Sequence, residues 1–597
     1  MRRQTALAQT MDQIAVRLTE VLDRHDDDVI KVGELTMACW AYASTRPRAI
    51  PPGWELPPRV GRVPDDENVG SSGAAAALAS AAAIGGGGGA PGGANAVATE
   101  ANAILDGPMD DVVIFERLDQ ITAGSSSSSS SNRKQARAES RSDIIVDDLF
   151  DAVANVLCKE RRVLTENEVD ADTTTTLLRQ CPWKDLSTIA WSYATRGHFD
   201  SRSTEYLFDA AVQEATRRLD EAPRGVNRSS RFLPRDVSQL AWAVAVLQSD
   251  NHRMGDSLVE LVGAINRHWI GLGVDKHYDA RHRPFENWKP ADLVQLAVAL
   301  SHGRIDDISL LSEIYNEALH IIRTSEDVET GAGGGTNNKG ANGQSRGVRT
   351  APRRHRQWQA WELSIMLWVQ ANLYLTSKDD EVFRIFAEAV PETILRRIKR
   401  SSRSGNDFAT LDTIGLGAQE QANMAWSLTV LQEHFSEDGE ELLRHIFQSA
   451  TSSYRSGAFI RLENAHQLWQ SYYLAEVEYP DAVADVTQGF RDYLERTWSQ
   501  EKSRRKISSA RHKSLSQTLN LMGVAHYNEH DEDIDVAIIL KSESAWTHTA
   551  ERGDHNDSHH KVAVEFDGPS HFTRAVAPNK PRALGHTVLK YRILKRQ

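Results

Sequence analysis

Residues 185–194 read DLSTIAWSYA, and the pattern, an acid followed six places later by a tryptophan, returns along the chain. ELTMACWAYA starts at Glu34, DVSQLAWAVA at Asp236, ELSIMLWVQA at Glu362, EQANMAWSLT at Glu420 and ENAHQLWQSY at Glu463. DLVQLAVALS at Asp292 fits with Val298 in the tryptophan's place. At about 100° per residue from Asp185, the residues Leu186, Ile189, Ala190 and Tyr193 fall on one helical face, and Trp191 lies on the other side. A helix apolar on two sides sits between layers. Pro182, Pro234 and Pro290 stand two or three places before their acids, so each acid falls in a first helical turn, at the positive end of the macrodipole. The acids therefore have a structural reason. The anchors at 185, 236, 292, 362, 420 and 463 are 51, 56, 70, 58 and 43 residues apart. That irregular spacing predicts helical hairpins stacked in series with loops of varying length.

A third face holds the acid and the positions three and seven after it. Position seven is mostly small: Ala41, Ser192, Ala243, Ala299 and Ser427. Position three varies: Met37, Thr188, Gln239, Gln295, Ile365, Asn423 and His466. Small neighbours around a varying, often polar side chain suit a reader of one base per repeat, which makes Thr188, Gln239, Gln295, Asn423 and His466 candidate RNA contacts. A solvated face without a ligand is the other reading.

The chain has 597 residues, 40% of them hydrophobic, enough for a sizeable core in several domains or one long array. Its net charge of -13 argues against a uniformly basic nucleic-acid binder. Cys39, Cys158 and Cys181 have no paired spacing, which fits a reducing compartment and neither a disulfide framework nor a cysteine zinc site. No apolar run approaches the length of a membrane span. The first residues are free of acids up to Asp12, as in a transit peptide, but Ile14, Val16, Leu18 and Leu22 run on into DRHDDD and read better as a first helix. Gly70–Gly93 (Ala/Gly-rich), Ser125–Ser131 and Thr330–Gly347 (Gly/Asn-rich) are low-complexity stretches expected to be disordered insertions. The expected organisation is an N-terminal helical repeat over 1–50, an insertion over 51–142, helical repeats over 143–325, an insertion over 326–355, helical repeats over 356–525 and a separate module over 530–597.

That module opens with strand-like Asp533–Leu540 (DIDVAIIL) and again at Val562, where Val562, Val564 and Phe566 alternate with Ala563, Glu565 and Asp567. Gly568-Pro569 ends the run in a turn. Two carboxylates, Glu565 and Asp567, therefore leave one strand end together, with His571 just beyond. From Gly568 to Gln597 there are seven Lys/Arg, namely Arg574, Lys580, Arg582, Lys590, Arg592, Lys595 and Arg596, and no Asp or Glu. Such a run can neutralise phosphates and supply sequence-independent affinity, or it is simply a solvated helix face. The His-rich stretch Asp554–His560 lacks a second ligand cluster and reads as a solvated loop.

EFDGPSHF (Glu565–Phe572), LGHTVLKYRIL (Leu584–Leu594) and DIDVAIIL together resemble the RAP domain, a short C-terminal module of organellar RNA-binding proteins, over about the last 65 residues. The helices before it resemble the octotricopeptide and FAST-kinase-like repeats that often precede RAP domains. The family continues into a Gly-Trp turn and a further strand, whereas this chain reaches Gln597 without them, so the module is expected to be shortened. The resemblance implies a mainly α protein: an irregular α-helical repeat solenoid with a small C-terminal α/β domain of restriction-endonuclease-like fold. It implies a mitochondrial or chloroplast protein that binds single-stranded RNA and acts on the stability, processing, splicing or translation of particular transcripts, alone or with other RNA-processing proteins. Nucleases of that fold hold Mg²⁺ with carboxylates on adjacent strands. The matching candidates are Asp535, Glu565 and Asp567 as ligands, His571 for proton transfer and Lys590 on phosphate; here Asp567 stands where many such nucleases have Lys. Three functions follow: RNA binding with no cofactor, a metal-dependent endoribonuclease, or a protein-interaction scaffold. A kinase is excluded, because no glycine-rich phosphate loop with a following Lys and no HRD-like or DFG-like string is present.

Overall fold

A computed structural model describes residues 2–24, 31–45, 130–162, 174–198, 201–222, 233–247, 254–271, 283–331, 357–403, 411–458, 460–502, 510–530, 534–540, 560–565, 567–574 and 580–596. Most of the three low-complexity stretches, and Asp554–His560 apart from its last residue, lie outside them. The chain divides into two compact units, residues 1–45 with 142–597, and residues 46–141. The second is described only over 130–141, where a helix begins.

The described residues are mainly helical, with a small three-stranded sheet near the end. The chain begins with α1 (Arg2–Asp23), α2 (Val32–Thr45) and α3 (Ser130–Cys158), then a short antiparallel pair, β1 (Glu160–Arg162) and β2 (Thr174–Thr176). It continues with α4 (Leu177–Gln180), α5 (Trp183–Arg196), α6 (Arg202–Glu221), α7 (Pro234–Leu247), α8 (Met254–Trp269), α9 (Pro290–Gly303) and α10 (Ile308–Gly331). Next come α11 (Ala360–Leu373), α12 (Glu381–Arg403), α13 (Ala418–Val430), α14 (Glu437–Arg455), α15 (Leu462–Glu478), α16 (Pro480–Val483) and α17 (Gln488–Lys502). The final part is α18 (Ala510–Leu521), β3 (His526–His530), β4 (Ile534–Leu540), β5 (His560–Val564) and α19 (Gly585–Arg596). Two helices reach into stretches expected to be insertions, since α3 starts at Ser130 and α10 runs to Gly331.

Every acid–tryptophan string forms a helix, and the anchor acid is its third residue in α2, α5, α7, α9, α11 and α13, and its second in α15. The reason is visible in the hydrogen bonds. Glu362 Oε2 accepts from the Gln359 amide at 2.7 Å, Asp236 Oδ2 from Leu233 at 3.3 Å and Asp292 Oδ2 from Lys289 at 3.3 Å. Each carboxylate thus satisfies an amide that the first turn leaves without a helical partner. Left-handed residues stop three of these helices: Gly197 after α5, and Arg304 and Tyr374 after α9 and α11, where a side chain makes that conformation costly.

These seven anchor helices pack one on the next in chain order, α2 on α5, then α7, α9, α11, α13 and α15, with α17 following. Each from α5 to α15 also packs on the helix after it. Those partners form their own contacts: α6 lies on α8, and α10, α12, α14 and α16 follow in turn, while Asn266 of α8 donates to Asp307 and Ser309 at the start of α10. Trp191, Trp242, Trp426 and Trp469 are buried between the anchor helices, each side chain contributing roughly 1.5–3 kcal/mol of burial. The position-seven residues Ser192, Ala243, Ala299 and Ser427 are fully buried. Their small size lets neighbouring helices approach, which replaces the expectation that they surround a base. In α1, the expected first helix, the buried stripe is Met11, Ala15 and Leu22, while Ile14 and Val16 are exposed.

Candidate functional site

The C-terminal strands form an antiparallel meander, β3-β4-β5, with Val536 opposite Val564 and Ala537 opposite Ala563. This register places Asp535, near the start of β4, beside Glu565, just past the end of β5. The Asp535 amide donates to Glu565 Oε1 at 3.3 Å, and Lys590 Nζ of α19 donates to Glu565 Oε2 at 2.6 Å. Burial raises the Glu565 pKa above the usual carboxylate value; Lys590 and the Asp535 amide pull against it, while the Asp535 charge adds to it. His512 of α18, itself buried, holds Nδ1 3.9 Å from Asp535 Oδ1 and Nε2 3.3 Å from Asn528 Oδ1. Asp567 belongs to another group: Tyr591 donates to it, and His571 Nδ1 lies 3.4 Å away and 3.1 Å from Thr587 Oγ1.

The five candidates for metal-dependent cleavage therefore fall into two sets, Asp535–Glu565–Lys590 and Asp567–His571. Both Glu565 oxygens are engaged, and Asp567 points to partners of its own. Among the described residues no group of three or more His, Cys, Asp or Glu is placed to hold a metal ion. The residues in this arrangement do not build the oxygen cage that Mg²⁺ requires.

The basic tail is seated on the anchor helices. Arg582 Nε donates to Asp306 Oδ2 at 3.0 Å and its Nη1 to Asp379 Oδ1 at 2.5 Å, and Thr573 Oγ1 also donates to Asp306 at 3.1 Å. The Arg574 amide donates to the Arg304 carbonyl at 2.7 Å, and Arg304 donates back to the Pro569 carbonyl at 2.6 Å. Burial, with the Arg304 charge nearby, lowers the Arg574 pKa. Arg592 donates to the Thr429 carbonyl and to Glu478, both at 2.5 Å. Arg596 donates to the Leu474 carbonyl at 3.3 Å and stands 4.7 Å over the Tyr473 ring. With Lys590 on Glu565, only Lys580 and Lys595 of the seven cations are largely solvent-exposed. Arg304, Asp306, Asp379 and Glu478 had no signal in the sequence, because they meet the tail only in space.

The position-three candidates lie along the contacts of the anchor helices. Gln295 accepts from Ser238 at 3.0 Å, Asn423 from Gln467 at 3.0 Å, and Thr188 donates to the Lys184 carbonyl at 2.7 Å. His466 Nε2 lies 3.4 Å from the Thr497 carbonyl. These four are half-buried, whereas Gln239 is buried.

Comparison with models of known protein families finds none that matches this chain.

Proposed function

We propose that the chain is an RNA-binding protein in which the anchor helices form a repeat solenoid that selects a single-stranded target, with a RAP-like module fastened to it. In this reading it acts in a mitochondrion or chloroplast on the stability, processing, splicing or translation of particular transcripts. The observation that supports it is the unbroken contact order of the anchor helices, which brings the helices carrying the half-buried Thr188, Gln295, Asn423 and His466 into one series, with Gln239 and Ile365 buried at the same position of the two helices between. Half-buried polar groups repeated at one helix spacing suit successive bases, each read by hydrogen bonds and stacking. Phosphate affinity from the tail falls to the exposed Lys580 and Lys595, since Arg582, Lys590, Arg592 and Arg596 are held by groups of the protein and Arg574 is half-buried.

The test is crosslinking of the full chain to RNA in its native compartment, followed by sequencing of the bound strands. Enrichment of defined transcripts supports the proposal. Recovery no greater than without crosslinking, in moderate salt, overturns it and leaves a protein scaffold. Mg²⁺-dependent cutting of the bound RNA that Asp535→Ala abolishes would instead make the protein a nuclease.

A further inference from the structure

We infer that α19, with the segment leading into it, is a strut that fixes the spacing of the last four anchor helices by closing their C-terminal ends. The contacts advance in step along both partners. Pro569 and Arg574 meet Arg304, the residue that ends α9. Arg582 spans Asp306, just after α9, and Asp379, in the turn between α11 and α12. Gly585 rests on the Ala371 carbonyl near the end of α11 and on Val430, the last residue of α13. Arg592 reaches Thr429 of α13 and Glu478, which ends α15, and Arg596 reaches Leu474 of α15.

The lengths agree. A helix of 12 residues is about 18 Å long, and neighbouring packed helices lie about 8–10 Å apart. One end of α19 can thus rest on α11 and the other on α15, with α13 between.

The chemistry explains why the strut is basic. The last carbonyls of a helix have no partner within it, and its C-terminal end is the negative end of the macrodipole. Arg592 donates to such a carbonyl, that of Thr429 in the last turn of α13, and pairs with Glu478, while Arg596 donates to the Leu474 carbonyl one turn before the end of α15. Contact with the module also supports the left-handed Arg304, whose carbonyl and guanidinium are both used. At Gly585 a Cβ would lie 2.0 Å from the Ala371 carbonyl oxygen, so only glycine allows this approach. Thr587, Leu589 and Ile593 of α19 are buried, as a permanent seam requires. This inference goes beyond RNA binding and stands independently of it.

Hydrogen exchange of the full chain tests it, using Arg592→Ala, Gly585→Ala and the milder Arg596→Ala. Loss of a charge-assisted contact at a helix end predicts roughly ten- to a hundredfold faster exchange there. Arg592→Ala is expected to act on the last turns of α13 and α15, Gly585→Ala on those of α11 and α13, and Arg596→Ala on α15, with α5 and α7 unchanged. Unchanged exchange at those turns, or an equal rise in α5 and α7, would overturn the inference.

Discussion

Glu362 gives the sharpest test of why the anchor acids recur. Its side chain is only 3% exposed, and Oε2 accepts from the Gln359 amide at 2.7 Å at the start of α11. Replacing it by alanine removes a charge-assisted bond of about 1.5–3 kcal/mol and a favourable dipole interaction of about 0.3–1 kcal/mol. Removing a buried carboxylate also relieves its desolvation, which offsets part of the loss. The net cost is about 2 kcal/mol, and the neutral acceptor of Glu362→Gln retains roughly half of the effect. Stacked elements need not unfold together, so the assay is native-state hydrogen exchange across α11 rather than one melting temperature. The expected change for Glu362→Ala is about thirtyfold faster exchange in α11, with a smaller change for Glu362→Gln. Exchange within about threefold of the parent in both variants would refute the capping account; so would equal damage from Gln and Ala, since the amide oxygen can still accept.

Other consequences follow from particular groups. Burial alone would lower the His198 pKa, but hydrogen bonds to Asp147 and Asp151 outweigh it and hold the pKa above the ordinary 6.5. The stability contributed by that group is complete below about pH 6.5 and is lost as pH rises through the folded-state value. The contact between α3 and α5 should therefore resist exchange better at pH 6 than at pH 8, and His198→Asn should flatten that dependence. Burial raises the Cys39, Cys158 and Cys181 thiols to about 12, so a thiol reagent at pH 8 should label all three only after unfolding. If RNA is the ligand, the double change Lys580→Ala with Lys595→Ala should reduce the salt slope of binding by about 1.4, measured as log affinity against log salt. A reduction near 5 on removing all seven tail charges would require the half-buried arginines and Lys590 to reach phosphate as well.

Much of the array was legible because its signals are local. The acid in the first turn caps α7, α9 and α11, and the tryptophan six places on is a buried ring in α5, α7, α13 and α15 and a half-buried one in α2 and α11, each within one helix. The small residues at position seven were visible too, but their purpose was not. Whether a small residue makes room for a base or for the next helix depends on what lies opposite, and the fully buried Ser192 and Ser427 face protein. Strand β3, with the sequence HYNEH, was missed because it has no apolar alternation; its pairing with β4 defines it. The pairing of Asp535 with Glu565 was implied only by the family resemblance; the strand pattern itself put Glu565 with Asp567, and folding gives those two different partners. The seat of the basic tail was not legible, because Asp306, Asp379 and Glu478 lie far away in sequence and composition does not reveal a partner that only folding supplies.

The proposed function requires the anchor helices, rather than the tail, to be the surface that meets RNA. Mass spectrometry of RNA-crosslinked peptides from the full chain addresses this directly. Crosslinks on the anchor-helix peptides containing Thr188, Gln295, Asn423 and His466 are the expected result. Crosslinks confined to residues 569–596, or none above the uncrosslinked control, would contradict it.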